Sequence, residues 1–226
     1  MKRIKLRDRL LPDYTRGEEI FNMVSHIVGG GFGVIALVAC LLKAALKGDG
    51  WDLAGALIYG CSMVVLYTMS SIYHGLKCEI AKKVFQIIDH CTIFILIAGT
   101  YTPIILSGMR ERAPLVAWGV FAFVWGLSIL GVVLNAIDLK KYKVLSMVFY
   151  ILIGWCIVFA GKEAIAAMTM DGFLWMLYGG ISYTIGAIFY GVGGKVAGAR
   201  YMHSVFHLFV VLGSILQFIS IFFYVL

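Results

Sequence analysis

His203-Ser204-Val205-Phe206-His207 opens the run HSVFHLFVVLGSILQFISIFFYV, which ends at Val225 and decides how the rest of the chain is read. The run contains no Asp, Glu, Lys or Arg, and about 20 apolar residues suffice for a helix to cross a bilayer. Two histidines four apart stand on one helix face, about 5–6 Å apart at Cβ. Imidazole nitrogen is a preferred zinc ligand, and ionisable groups within a span are costly and usually functional. The pair points to a metal site buried in a membrane. Taken alone, it also suits two histidines that cap or bridge neighbouring helices.

Working outward, composition assigns the class. The chain is 62% hydrophobic and 14% charged, with a mean hydropathy of +0.94. Soluble domains hold about 45–50% apolar and about 25% charged residues. Seven apolar spans are expected, near Ile20–Leu46, Asp52–His74, Val84–Leu106, Pro114–Leu134, Val144–Ala160, Phe173–Tyr190 and His203–Val225. The fold class is therefore all-α, a polytopic seven-transmembrane-helix bundle. The length of the runs excludes a β-barrel. A basic cytoplasmic segment, 1–19, precedes one transmembrane domain, 20–226. There is no internal repeat and no room for a soluble domain. Glycines in the first span (Gly29, Gly30, Gly31, Gly33) and the sixth (Gly179, Gly180, Gly186) suit close helix packing.

The net charge of +7 does not indicate a nucleic-acid partner, because of where the charge lies. The N-terminal segment holds Lys2, Arg3, Lys5, Arg7, Arg9 and Arg16, and the even-numbered loops hold Lys77, Lys82, Lys83, Lys140, Lys141, Lys143, Lys195 and Arg200. That is fourteen basic residues on one side, against Lys43, Lys47, Arg110, Arg112 and Lys162 on the other. The positive-inside rule then puts the N-terminus in the cytoplasm and the C-terminus outside. No cleavable signal peptide is expected, since polar residues 13–19 separate the basic start from a first span too long for a signal core. The five cysteines are odd in number and irregular in spacing, and read as small core residues, with Cys91 notable for its nearness to Asp89.

Alternating spans bring chemistry to one depth. The second span ends at Ser70-x-x-x-His74, the third begins with Gln86, Asp89 and His90, and the seventh begins with His203 and His207. Three histidines without a fourth protein ligand describe an open zinc site. Three neutral imidazoles leave the +2 charge of Zn2+ intact, so a carboxylate is needed nearby, and Asp89 fits. Ser70, one turn before His74, suits a hydrogen bond to water or ligand.

These same residues carry a resemblance. Ser70-x-x-x-His74, Ile88-Asp89-His90 with Ile97-Ala-Gly-Thr-Tyr-Thr-Pro103, and His203-x-x-x-His207-Leu-Phe-Val-Val-Leu-Gly213 resemble the hemolysin III family, the bacterial branch of the progestin and adiponectin receptor superfamily. The likeness runs from Glu18-Glu-x-x-Asn22-x-x-Ser-His26 to the last span. It implies seven helices, a multi-pass protein of the bacterial inner membrane, zinc held by His74, His203 and His207, and Asp89 and Ser70 beside the ligands. Likeness of the superfamily to alkaline ceramidases implies metal-dependent hydrolysis of a lipid amide. Ser204 departs from the acidic residue of many bacterial members, so the motif is not the metalloprotease H-E-x-x-H.

Around this centre, His26 reads as a helix-bridging hydrogen bond or, less simply, a fourth ligand, with Asn22 one turn before it. His90, turned about 100° from Asp89, is expected to face a neighbouring helix. Tyr101, Tyr183 and Tyr190 suit an aromatic belt, packing or a lipid-access cavity. The function expected is an intramembrane zinc hydrolase of a lipid amide or ester, with Asp89 as base and Ser70 aiding the carbonyl oxygen. Its partner is a membrane lipid or fatty-acyl ligand within the bundle. The alternatives are a non-enzymatic sensor with structural zinc and, more weakly, a pore-forming cytolysin.

Overall fold

The computed structural model describes residues 6–193 and 200–226. Lys2, Arg3, Lys5 and Lys195 of the charge pattern lie outside the described residues. All regular structure among the described residues is helical: α1 (Arg16–Lys47), α2 (Gly50–Gly75), α3 (Glu79–Pro103), α4 (Pro114–Asp138), α5 (Lys143–Trp155), α6 (Gly161–Gly193) and α7 (Met202–Ser220). Six are long and apolar enough to cross a membrane. The exception is α5, which with its 3-10 turn Cys156–Val158 forms a shorter apolar rod. At 1.5 Å per residue that rod spans about 24 Å, less than the roughly 30 Å of a bilayer core.

Local chemistry sets the helix ends. Thr15 caps α1 in a reciprocal box, its hydroxyl accepting from the Glu18 amide (3.2 Å) while the Glu18 carboxylate accepts from the Thr15 amide (2.8 Å). Asp49 and Asp52 repeat the device at the start of α2. The Asp52 and Trp51 amides hold the Asp49 carboxyl below the usual carboxylate range, with Arg110 adding to the effect. At Pro103 the missing amide ends regular α-geometry, and α3 continues as a π-helical stretch, Ile104–Met109. Gly55 of α2 lies against this point, where a Cβ would come within 2.9 Å of Pro103 Cα.

The sixth span differs from its expected extent. α6 begins at Gly161, twelve residues ahead of Phe173, and is broken at Thr169 (φ 63°, ψ 170°). The segment expected as loop holds good helix formers, and Ala164 and Met168, one turn apart, are both fully buried. Their burial offsets a threonine in a region suited to glycine, which costs about 1–3 kcal/mol.

Polar contacts define the two ends of the bundle. At one, Arg110 from the α3–α4 turn pairs with Asp49 from the α1–α2 turn (3.1 Å), and Lys43 donates to the Phe222 carbonyl near the C-terminus. At the other, the N-terminal segment meets the ends of α3, α4 and α7. Here Lys83 donates to the Arg7 carbonyl (2.8 Å), Arg9 faces Asp138 (3.9 Å) and Arg200 donates to the Asp13 carbonyl (3.2 Å). The interior between is tied by Ser214 of α7, whose hydroxyl meets those of Tyr67 on α2 (2.7 Å) and Tyr183 on α6 (2.8 Å).

Candidate metal centre

Three histidines meet at the N-terminal end of the bundle. His74 comes from the last turn of α2, His203 and His207 from the first turns of α7, and all three are buried. The Nε2 atom of His203 lies 3.3 Å from that of His74 and 3.1 Å from that of His207. One ring nitrogen from each lies within 4.8 Å of the others, and these three form the only such group among the described residues.

The far sides of the rings determine which nitrogens carry protons. His74 Nδ1 is 2.6 Å from Glu19 Oε2, and Glu19 Oε1 pairs with Lys82 Nζ at 2.7 Å. His207 Nδ1 is 3.3 Å from the Asn22 carbonyl. A carboxylate and a carbonyl can only accept, so both Nδ1 atoms donate and, in the neutral rings, both Nε2 atoms present lone pairs. A proton on His203 Nε2 satisfies only one of those neighbours, whereas a cation satisfies all three. Tetrahedral nitrogens 2.0–2.1 Å from zinc stand about 3.3 Å apart, close to the two separations found here. The donor set therefore fits zinc.

The remaining expected site residues surround this cluster. Ser70, Gln86, Asp89, His90 and His26 line one cavity of about 440 Å³ together with His203 and His207. Asp89 Oδ2 lies 3.6 Å from His90 Nδ1. His90 also faces the Gln86 carbonyl through Nδ1 (2.8 Å) and the Tyr190 hydroxyl through Nε2 (3.3 Å). Gln86 donates to the Tyr73 hydroxyl (3.3 Å). His26 makes no bridging hydrogen bond: both its nitrogens are buried without a partner, and its ring stacks on His207 at 3.6 Å. Ser204 points away from the imidazoles and donates to Asn22 Oδ1 (2.7 Å), joining α7 to α1. Tyr101, Tyr183 and Tyr190 stand on the cavity wall. All five cysteines are free, and Cys91 donates to the Val132 carbonyl (3.6 Å).

Two contacts were not anticipated from the sequence. Glu19 supplies the carboxylate that touches a cluster histidine, a position given above to Asp89. Its signal was present, since Glu19 precedes Asn22 by three and His26 by seven and so shares their face. Tyr14 stacks on His203 (5.1 Å between centroids, 12° between planes), and burial keeps its hydroxyl neutral by raising it well above the ordinary tyrosine range. Tyr14 precedes α1, where no periodicity marks a buried face.

Glu19→Ala is expected to weaken zinc retention by about 10–100-fold, the usual loss when a ligand's outer partner is removed. A chelator competition on the purified protein reads this directly, and Glu19→Gln, which keeps an accepting oxygen, should lie between the two. Equal retention in wild type and Glu19→Ala would deny Glu19 that role.

Helices long enough to span a bilayer, with three imidazoles converging at one end, define a multi-pass membrane protein with a centre of metal-binding type. The chain belongs to the haemolysin-III family: the family profile described as "Haemolysin-III related" matches residues 14–218. It is 36% identical over 209 residues to Hemolysin-3 of Bacillus cereus, covering 92% of each chain. It is 34% identical over 211 residues to the Hemolysin-3 homolog of Bacillus subtilis (strain 168), covering 93% of this chain and 96% of the relative. The human Monocyte to macrophage differentiation factor is 27% identical over 199 residues, covering 83% and 77%, which extends the likeness to the progestin and adiponectin receptor superfamily. The protein is a multi-pass protein of the bacterial plasma membrane.

Proposed function

We propose that this chain is an intramembrane zinc-dependent hydrolase of a lipid amide or ester, with His74, His203 and His207 as ligands. The observation that carries the reading is the convergence of three Nε2 atoms at the polar end of a cavity whose deeper walls are apolar. Leu66, Ile93, Leu96, Ile97 and Val210 form those walls, which suit an acyl chain. Zinc, when bound, supplies Lewis acidity that polarises a carbonyl and eases deprotonation of water. Asp89 takes the proton from the attacking water, and the Ser70 hydroxyl donates to the carbonyl oxygen as charge develops there. Glu19 and the Asn22 carbonyl hold His74 and His207 in the tautomer that offers Nε2. Three histidines without a fourth protein ligand favour chemistry over a purely structural ion, since structural zinc sites are usually closed by four.

The test is release of fatty acid from a long-chain acyl amide of ceramide type by purified protein in vesicles. Turnover should vanish on chelation and return with zinc. No release from any member of a broad amide and ester panel would leave the zinc structural and make the protein a lipid-binding sensor.

The same reading takes α5 with its 3-10 turn as a seventh crossing, with the N-terminus in the cytoplasm and the C-terminus outside. Fourteen basic residues against five support this orientation. A reporter active only outside should work when fused after Leu226, and one requiring the cytoplasm should not. The reverse pattern would move the histidine layer to the outer face.

A further inference from the structure

The mouth of the cavity carries a buried cation that the fold does not fully use. Arg9, in the segment before α1, is 9% exposed and lines the cavity. Its Nη2 donates to the Ile137 carbonyl at 3.4 Å and stands 3.9 Å from Asp138 Oδ1. Its Nε and Nη1 are buried with no hydrogen-bond partner. Asp138 also accepts from the Lys141 amide (3.2 Å), so its charge is shared. Anchoring the segment to α4 accounts for one guanidinium nitrogen of three. Unpaired buried donors on a charged group are costly unless a partner arrives. Lys140 and Lys143 line the same mouth, with Lys143 Nζ 4.9 Å from the centre of the Tyr190 ring. Asp89, the acid on the cavity wall, stands beside His90.

We propose that Arg9, with Lys140 and Lys143, binds the oxyanion headgroup of an amphiphile whose chain lies along the cavity. The three N–H groups on Nε and Nη1 suit phosphate or carboxylate oxygens, which guanidinium binds through strong charge-assisted bonds. The inference rests on the hydrolase reading and adds a preference for anionic lipids within its substrate class. The mouth holds cations and the deeper wall is apolar, so headgroup and chain have separate places.

The experiment measures binding, not turnover, so that it fails separately from the hydrolase reading. Native mass spectrometry of the zinc-loaded protein in maltoside micelles would compare hexadecyl phosphate, hexadecanol and inorganic phosphate, none of which has an acyl bond to cleave. Hexadecyl phosphate should bind about tenfold or more tightly than hexadecanol, as expected of one or two charge-assisted bonds. Arg9→Gln should erase that margin while leaving zinc content unchanged, and Arg9→Lys should restore part of it. The exposed pair Lys140→Gln with Lys143→Gln should cut the margin several-fold, which keeps the test intact should Arg9 variants fail to fold. Equal binding of the phosphate and the alcohol, or an undiminished margin in Arg9→Gln, overturns the proposal. Inorganic phosphate binding as tightly as hexadecyl phosphate would make the ligand a free anion and overturn the amphiphile.

Discussion

Replacing His207 with alanine is expected to take the purified protein from about one zinc per chain to a small fraction of that. His207 is 1% exposed, its Nε2 is 3.1 Å from that of His203, and its Nδ1 faces the Asn22 carbonyl. Its loss leaves two imidazoles and removes the ring on which His26 stacks. The change should also abolish the zinc-dependent part of thermal stability, because a ligand that binds only the folded state raises the melting temperature, and more so the tighter it binds. Metal analysis and melting with and without chelator read the two effects independently. Full zinc occupancy in His207→Ala would sink the three-histidine assignment.

Asp89→Asn is expected to keep zinc and lose turnover by about 10²–10⁴-fold, the usual contribution of a positioned base. Asparagine preserves the shape but cannot accept the proton. Asp89 lies outside the group of converging ring nitrogens and lines the cavity beside them, 8% exposed. The variant therefore separates chemistry from metal binding. Ser70→Ala should lose less, about 10²-fold, for one donor to the developing oxyanion. Fatty-acid release at the same rate from wild type and Asp89→Asn would remove the carboxylate from the reaction.

The parts of the centre legible in sequence were those with a local signature. His203 and His207 declare a shared face by their spacing. His74 and Asp89 could be placed at the same depth because alternation of spans is a matter of counting crossings. Glu19 lies in the same stretch as Asn22 and His26, yet nothing in the sequence says that its carboxylate crosses from α1 to His74 of α2 and not to another partner. That His26 stacks on His207 and makes no bridging hydrogen bond is hidden from the sequence for the same reason. Ring stacking on His207 depends on the rotation and approach of α1 against α7, helices separated by most of the chain. The sixth span shows a related limit: Thr169 carries no mark of a break, and the burial of Ala164 and Met168 adds to the helix formers in the piece before it.

What the sequence determined by itself was the solvent of the fold, the helical class and the residues able to bind a metal. These follow from composition, run length and spacing, which act within a few turns of one helix. Tertiary structure alone decided which nitrogen of each ring points inward and which acid supports it, and it placed Ser204 on Asn22 and Arg9 at the cavity mouth. Those outcomes depend on inter-helix contacts at distances of about 3 Å, where a rotation of one helix by a single residue, about 100°, exchanges one neighbour for another.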